Sequence, residues 1–374
     1  MRSKLLALLL LLSFFTGCKQ STDCHYQDWL ITFDNESRAI HLFYQDKALL
    51  KGVVSRYKLD DRYVATAEYP RVSLKESTFT DMIGRGKKVT YQYGGLKGHP
   101  NLHHVFYFYE GDSICLIETL LVGKDSIASN YIAPIYTETD CAWLENDTTN
   151  RVLTIPFDND NFVPYKSSPL TIQDTSSEVT AFFTGSSRKG LVIGSVEHDT
   201  WKTGISFATS NHNQVNKLEA FGGLANEATR DVSSKKDRPS CEHGYVNGRT
   251  IKSPKLFVGF FADWRRGLEA YGQTCAKIAP PRKWDKGVPF GWNSWAAMAT
   301  RVNYEGAIDV ADFIHTDLQP NNFNNDQTVY IGLDSYWDTF STEQLKDFVK
   351  HCHQNGQKAG IYWGPFSDWY ANGE

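Results

Sequence analysis

The chain has 374 residues, enough for two cores rather than one. Its 39 Lys and Arg against 43 Asp and Glu, a formal net charge of -4, are spread without a basic stripe, which argues against nucleic acid as a partner. Aromatic residues make up 14% of the chain, and position must decide whether they fill β cores or stack on sugar rings.

At the N-terminus, Arg2 and Lys4 precede an apolar run, Leu5 to Phe15, that is too short to span a bilayer. The run leads into "FTGCKQST", where small residues directly before Cys18 resemble a bacterial lipobox. That resemblance implies removal of residues 1–17 and acylation of Cys18. The expected product is an exported lipoprotein, in the periplasm or at the outer membrane or cell surface. Each acyl methylene buried in the membrane adds roughly 0.8 kcal/mol to the anchor. The alternative is an ordinary secretory peptide with an incidental Cys, since Phe15 stands where an aliphatic residue is more usual. No later stretch reads as a membrane span.

Cys24, Cys115, Cys141, Cys241, Cys275 and Cys352 are scattered without a CxxC pair. A domain of this size does not need a disulfide framework, so mostly buried free thiols are expected.

Residues 18–283 read as an antiparallel β-sandwich closed by a linker helix. "HHVFYFYEGDSICLIETLLVG" gives two apolar runs about the turn "EGDS". "VTAFFTGSSRKGLVIGSVEH" gives two more about "GSSRKG", and "PKLFVGFF" another. Within this region "RGKK", Arg85 to Lys88, reads as a solvated turn. Asp158, Asn159 and Asp160 read as an Asx-rich turn between strands, with a loop that reaches a binding site as the alternative. "EHDTWKTG", with Asp199 and Trp201, reads as a hairpin end or the rim of a pocket. His103 and His104 fall on opposite faces of a strand. Then "ADWRRGLEAYGQTCAKIAPP" places Leu268, Tyr271 and Cys275 at helical spacing, and Pro280-Pro281 stop the helix.

From residue 284 the rhythm becomes strand, helix, strand, helix, strand, which predicts parallel pairing of buried strands. The strands are "VPFGWNSW", "TVYIGLDSYWD" and "QKAGIYWGPF", and "NYEGAIDVADFIH" is the first helix. In "STEQLKDFVKHCHQNG" the apolar residues Leu345, Phe348, Val349 and Cys352 share a helical face. Ser341 and Gln344 fit a capping box and Gly356 a C-terminal cap. His351 and His353, two apart on that helix, do not face together, which argues against a metal pair. No GxGxxG follows the first strand, so a dinucleotide fold is disfavoured. Instead each strand runs into aromatic and polar residues: Trp292, Asn293 and Trp295; Asp334, Tyr336 and Trp337; Tyr362, Trp363 and Asp368. The C-terminal ends of strands are where a (β/α)8 barrel carries its site. A pocket of Trp, Tyr and carboxylates suits a sugar, whose apolar face lies on a ring while its hydroxyls donate to acids.

"GWNSW", "YIGLDSYWD" and "GQKAGIYW", in this order, resemble clan D glycoside hydrolases, families 27 and 36, the α-galactosidase group. The resemblance covers about residues 288 to 368. It implies a β-sandwich followed by the first part of a (β/α)8 TIM barrel, residues 284–374 supplying strands one to three. It makes Trp295 a wall of the sugar pocket, Asp334 the acceptor of sugar hydroxyls, and Tyr362 a residue lining the same subsite. Where the family commonly has a second Asp, this chain has Ser335, which bears on how the C4 and C6 hydroxyls are held. Trp337 and Asp338 extend the pocket or cap the next helix.

The group's retaining mechanism uses two carboxylates about 5–5.5 Å apart. The resemblance places both beyond Glu374, so no catalytic residue is assigned, and the chain is expected to be an inactive portion of a longer enzyme. The expected function is hydrolysis of terminal α-galactosides or α-N-acetylgalactosaminides in glycan degradation, with no metal or organic cofactor. The alternative is a non-catalytic glycan-binding surface lipoprotein with a vestigial barrel.

Overall fold

A computed structural model describes residues 22–156, 165–211, 213–223, 244–285 and 287–364. The leader, Cys18, the Asp158–Asp160 turn, Cys241 and Asp368 lie outside the described residues. The chain divides into two compact units, Met1–Pro281 and Arg282–Glu374. No helix among the described residues is long and apolar enough to cross a membrane.

The first unit is built from two antiparallel sheets. One runs, in spatial order, Cys24–Tyr26, Trp29–Phe33, Ile40–Tyr44, Lys47–Leu59, Tyr131–Thr137, Gln214–Gly223, Lys202–Asn211 and Gln173–Ser177. Arg62–Ala65 is added beside Lys47–Leu59. The other runs Lys166–Pro169, Asn150–Thr154, Val179–Thr184, Gly190–Ser195, Leu256–Phe261, Ile114–Ser129, Asn101–Tyr109, Arg85–Gly94 and Arg71–Thr80, with Val246–Lys252 beside Ile114–Ser129. The main core lies between them: Phe207, Leu218 and Ile132 of the first sheet meet Phe182, Ile193 and Phe106 of the second.

The unbroken apolar runs have a physical reason. In Asn101–Tyr109, Phe106 and Phe108 face the inter-sheet core, while Val105, Tyr107 and Tyr109 face a second cluster on the sheet's other side. A strand covered on both faces needs no polar alternation. Part of that second face is covered by the helix Trp264–Ile278, whose Leu268, Tyr271 and Cys275 pack there as their spacing predicts. Gly267 lets the helix seat closely, because a Cβ there would stand 2.6 Å from both Phe261 and Val192 side-chain atoms. Asp263 caps the helix by accepting from the Arg265 N–H.

Two local readings are corrected. Arg85 to Lys88 is not a turn but the start of the strand Arg85–Gly94. Its charges are met by neighbours: Arg85 pairs with Glu110, Lys87 with Glu76 at 2.8 Å, and Lys88 lies 5.0 Å over the Tyr107 ring. "EHDTW" is no hairpin end either. It links Gly190–Ser195 of one sheet to Lys202–Asn211 of the other. Trp201 there is a core residue whose indole N–H donates to the Lys252 carbonyl at 2.8 Å.

Polar groups inside the sandwich satisfy one another. Arg56 and Tyr131 both donate to Glu219, and the guanidinium lies 3.7 Å from the Tyr136 ring centroid and 4.9 Å from that of Tyr63. Ser55 and Thr119 share a buried hydrogen bond of 2.7 Å between the sheets. His104, paired with Thr119 across the ladder, is wholly buried and neither ring nitrogen has a hydrogen bond of ordinary geometry. Burial pushes its pKa down to about 3, opposed only by the nearby Pro134 carbonyl. Cys24, Cys115 and Cys141 are buried free thiols, Cys352 of the second unit is another, and Cys275 is a half-buried one.

The second unit is a three-stranded parallel sheet, Gly291–Asn293, Tyr330–Leu333 and Lys358–Ile361, in that order. The helices Tyr304–Phe313 and Thr342–Gln354 supply the connections. Ile331 and Leu333 are buried with Ala307, Ala311, Phe348 and Cys352. The strands are less buried than expected: only alternate residues of Tyr330–Leu333 are fully covered, and Lys358 and Ile361 are exposed. The helices take one face of the sheet, and Val349 is likewise 40% exposed at the edge of its helical stripe. Ser341 and Gln344 form the capping box, and Gly356 ends the helix at φ 68°. His351 bonds Asp312 of the neighbouring helix at 2.6 Å while His353 is exposed, so the two histidines part as the spacing requires.

Candidate functional site

The parallel register sets the site. Asn293 aligns with Gly332 and Gly332 with Gly360, so the residues following all three strands emerge at one end of the sheet. Gly291 makes the first pairing possible. Its φ is 155°, and any Cβ there would collide with the Tyr330 carbonyl.

Asn293 links two strand ends with one side chain. Its Oδ1 accepts from the Trp295 N–H at 2.9 Å, capping the short helix Ser294–Met298. Its Nδ2 donates to Asp334 Oδ2 at 2.9 Å. Asp334 is held from two further directions: its backbone N–H donates to the buried Ser294 Oγ at 2.9 Å, and its Oδ1 accepts from the Ser335 N–H at 2.7 Å. Each carboxylate oxygen therefore has one protein donor and keeps a lone pair for another. Ser335 is half-buried, and its hydroxyl makes no hydrogen bond among the described residues.

The aromatic residues at this end of the sheet differ in exposure. Trp295 is 47% and Tyr362 43% exposed, unlike core rings of the sandwich such as Trp29 and Phe106. Trp337 is half-buried and already engaged: its indole N–H donates to the Tyr362 carbonyl at 2.8 Å, and its ring lies 5.8 Å from that of Trp363. It ties the second strand's exit to the third's, and the following helix is capped by Ser341, so the cap alternative for Trp337 does not hold. Asp338 is exposed in the same short turn. Just before them Tyr336 sits at φ 70°, a left-handed conformation costly for an aromatic residue, which turns the chain sharply after Ser335.

The sequence-predicted residues Trp295, Asp334, Ser335, Trp337 and Tyr362 thus fall at one end of one sheet. Of the two residues that hold Asp334, Asn293 was named only as a strand-end residue without a role, and Ser294 was not singled out. The signal for them was the polar pair enclosed by two tryptophans in "GWNSW". Among the described residues, no group of three or more His, Cys, Asp or Glu is placed to hold a metal.

No family model matches the chain, and no curated protein matches it. Solved structures do. The α-N-acetylgalactosaminidase NagBb from Bifidobacterium bifidum, in a Gal-NHAc-DNJ complex, aligns with TM-score 0.55 at 10% identity, over 92% of this chain and 60% of that one. The galactosidase domain of the α-galactosidase–sucrose kinase AgaSK aligns with TM-score 0.53 at 11% identity, over 92% and 56%. A glycoside hydrolase family 97 enzyme from Pseudoalteromonas sp., in complex with acarbose, aligns with TM-score 0.51 at 10% identity, over 89% and 52%. The chain spans between about half and three fifths of the length of these structures. Its fold is that of a glycoside hydrolase-like protein, mostly antiparallel β-sheet with few helices.

Proposed function

We propose that this chain carries the sugar-recognising part of an exo-acting, retaining glycoside hydrolase of the α-galactosidase type, with terminal α-galactosides or α-N-acetylgalactosaminides as substrates in glycan degradation. The observation that supports this best is the Asp334 carboxylate, oriented by Asn293 and Ser335 yet left with acceptor capacity, at the same sheet end as the half-exposed Trp295 and Tyr362. On this reading a pyranose lies on Trp295 while two of its hydroxyls donate to Asp334, as charge-assisted hydrogen bonds. Ser335 contributes a neutral donor where a second carboxylate would repel the first, and Tyr362 borders the subsite. Trp337 positions Tyr362 rather than touching sugar. The three strands are the first of a (β/α)8 barrel, and the two bond-breaking carboxylates belong to later strands.

The test offers aryl α-galactoside and aryl N-acetyl-α-galactosaminide to the product of the complete reading frame, with the first-formed anomer read by proton NMR. Release of the α anomer is expected. Release of the β anomer, or no release above the buffer rate, contradicts the reading. Residues 19–374 alone should bind without turnover. Acylation of Cys18 would hold the site at the cell envelope; labelling with a fatty-acid analogue, lost in C18A, checks that separately.

A further inference from the structure

Away from the parallel sheet, the first unit brings together a nucleophile, a base and a carboxylate. Cys275 lies on the helix Trp264–Ile278, half-buried against the sheet. Its Sγ is 4.0 Å from His198 Nε2. On the other side of that ring, His198 Nδ1 donates to Glu178 Oε2 at 2.9 Å. Glu178 is itself fixed: its Oε1 accepts from the Thr203 N–H at 3.1 Å, and its backbone is held at φ 63° by bonds to Thr203 and Ser195. Because Nδ1 carries the proton given to Glu178, Nε2 is the atom left to exchange a proton with the thiol.

We propose that Cys275, His198 and Glu178 form a reactive-thiol site that undergoes exchange with a low-molecular-weight disulfide. In that step the Cys275 thiolate attacks one sulfur of the disulfide, a new S–S bond forms, and the old S–S bond breaks. The leaving thiolate takes the proton from His198 Nε2, so the products are the mixed disulfide on Cys275, a free thiol and a neutral imidazole. No net oxidation occurs beyond what the disulfide brings.

Three considerations bear on whether the thiol is activated. Cys275 sits in the last turn of its helix, where the carbonyl ends disfavour an anion. As a neutral thiol it also has the Ser195 carbonyl at 3.9 Å as an acceptor, but the Tyr271 hydroxyl already donates to that oxygen at 2.6 Å. Against these stands the imidazolium, 4.0 Å from the sulfur. Hydrogen bonds to Cys275 and Glu178 raise the His198 pKa to about 10 despite partial burial, so the ring is a cation at neutral pH. The titratable groups facing the sulfur are His198, Glu178 beyond it, and Tyr271. The other described thiols are buried, and burial raises them: Cys24 and Cys352 to about 11, Cys141 to about 12. They serve as inert controls in the same molecule.

The experiment is iodoacetamide alkylation of the full chain from pH 5 to 9, with each cysteine-containing peptide quantified by mass spectrometry. Because His198 Nε2 lies within reach of its sulfur, Cys275 should label about tenfold faster than glutathione at pH 6, with a rate that rises less steeply with pH than glutathione's. H198Q should lose that tenfold, and E178Q part of it. Glutathione disulfide at pH 6 should add one glutathionyl group to the Cys275 peptide. A Cys275 rate that climbs tenfold per pH unit to pH 8, as glutathione's does, overturns the proposal without any variant. So does an unchanged rate in a folded H198Q, or absence of the mixed disulfide.

Discussion

Two carboxylates set the two units apart. Glu219, in the sandwich, is nearly enclosed: Arg56 and Tyr131 both donate to it, and the rings of Tyr136 and Tyr63 flank the guanidinium. Asp334, at the end of the parallel sheet, has one donor on each oxygen and open lone pairs beyond them. Trp295 and Tyr362, at the same end of the sheet, are 47% and 43% exposed. Both places combine a carboxylate with aromatic residues. Around Glu219 both charges are spent on neighbours, so the cluster contributes stability and keeps no free charge for a ligand. At the sheet end the protein orients the carboxylate and stops short of satisfying it, as a binding site requires.

Substitutions in either unit separate these two roles. The largest effect is expected for Glu219→Ala, which strands the Arg56 charge among aromatic rings. Loss of one partner from a buried pair costs about 3–5 kcal/mol, read as faster hydrogen exchange throughout the sandwich amides. Sugar binding at the sheet end should be untouched.

Acid comes next. Unfolded His104 gains its proton near pH 6.5, whereas folded His104 refuses it until about pH 3. Between those values the unfolded state holds more protons, so acid favours unfolding. Sandwich stability should be full above pH 6.5 and fall by at most about 1.4 kcal/mol per pH unit below it. H104L should flatten that slope; an unaltered slope would show that His104 is not its source.

Smaller again is Trp295→Ala, expected to weaken galactoside binding about tenfold by removing the stacking ring while leaving the thermal melt in place. Ser341→Ala removes a helix cap and should cost about 1 kcal/mol, confined to the exchange of amides in Thr342–Gln354.

What could be read from the sequence follows the range of the interaction. The Ser341–Gln344 capping box and the Leu268–Tyr271–Cys275 stripe involve neighbours three or four apart, and they stand where the pattern puts them. The apolar strand runs were legible because both faces are covered. Arg85 to Lys88 misled because its charges are neutralised across strands by Glu76 and Glu110, which local composition does not reveal. The crossing of "EHDTW" between sheets is likewise a property of topology. At the sheet end, strand order and the quoted motifs indicated the aromatic residues and Asp334. The Asn293–Asp334 bond joins residues 41 apart through a parallel register, so it was out of reach. The Cys275–His198 approach, across 77 residues, was further still. The motifs resembled families 27 and 36, while a family 97 enzyme shares the fold too. Fold therefore leaves the substrate to be argued from Asp334 and its neighbours.

The central claim is that Asp334 holds a sugar. It is tested most directly by calorimetric titration of the chain and its D334A variant with methyl α-D-galactopyranoside, methyl N-acetyl-α-D-galactosaminide and methyl α-D-glucopyranoside. The account predicts saturable binding of one of the first two, weakened about 100-fold in D334A through loss of two charge-assisted hydrogen bonds, with an unchanged melt. Equal affinity of wild type and D334A, or no binding of any of the three by the folded wild type, would contradict it.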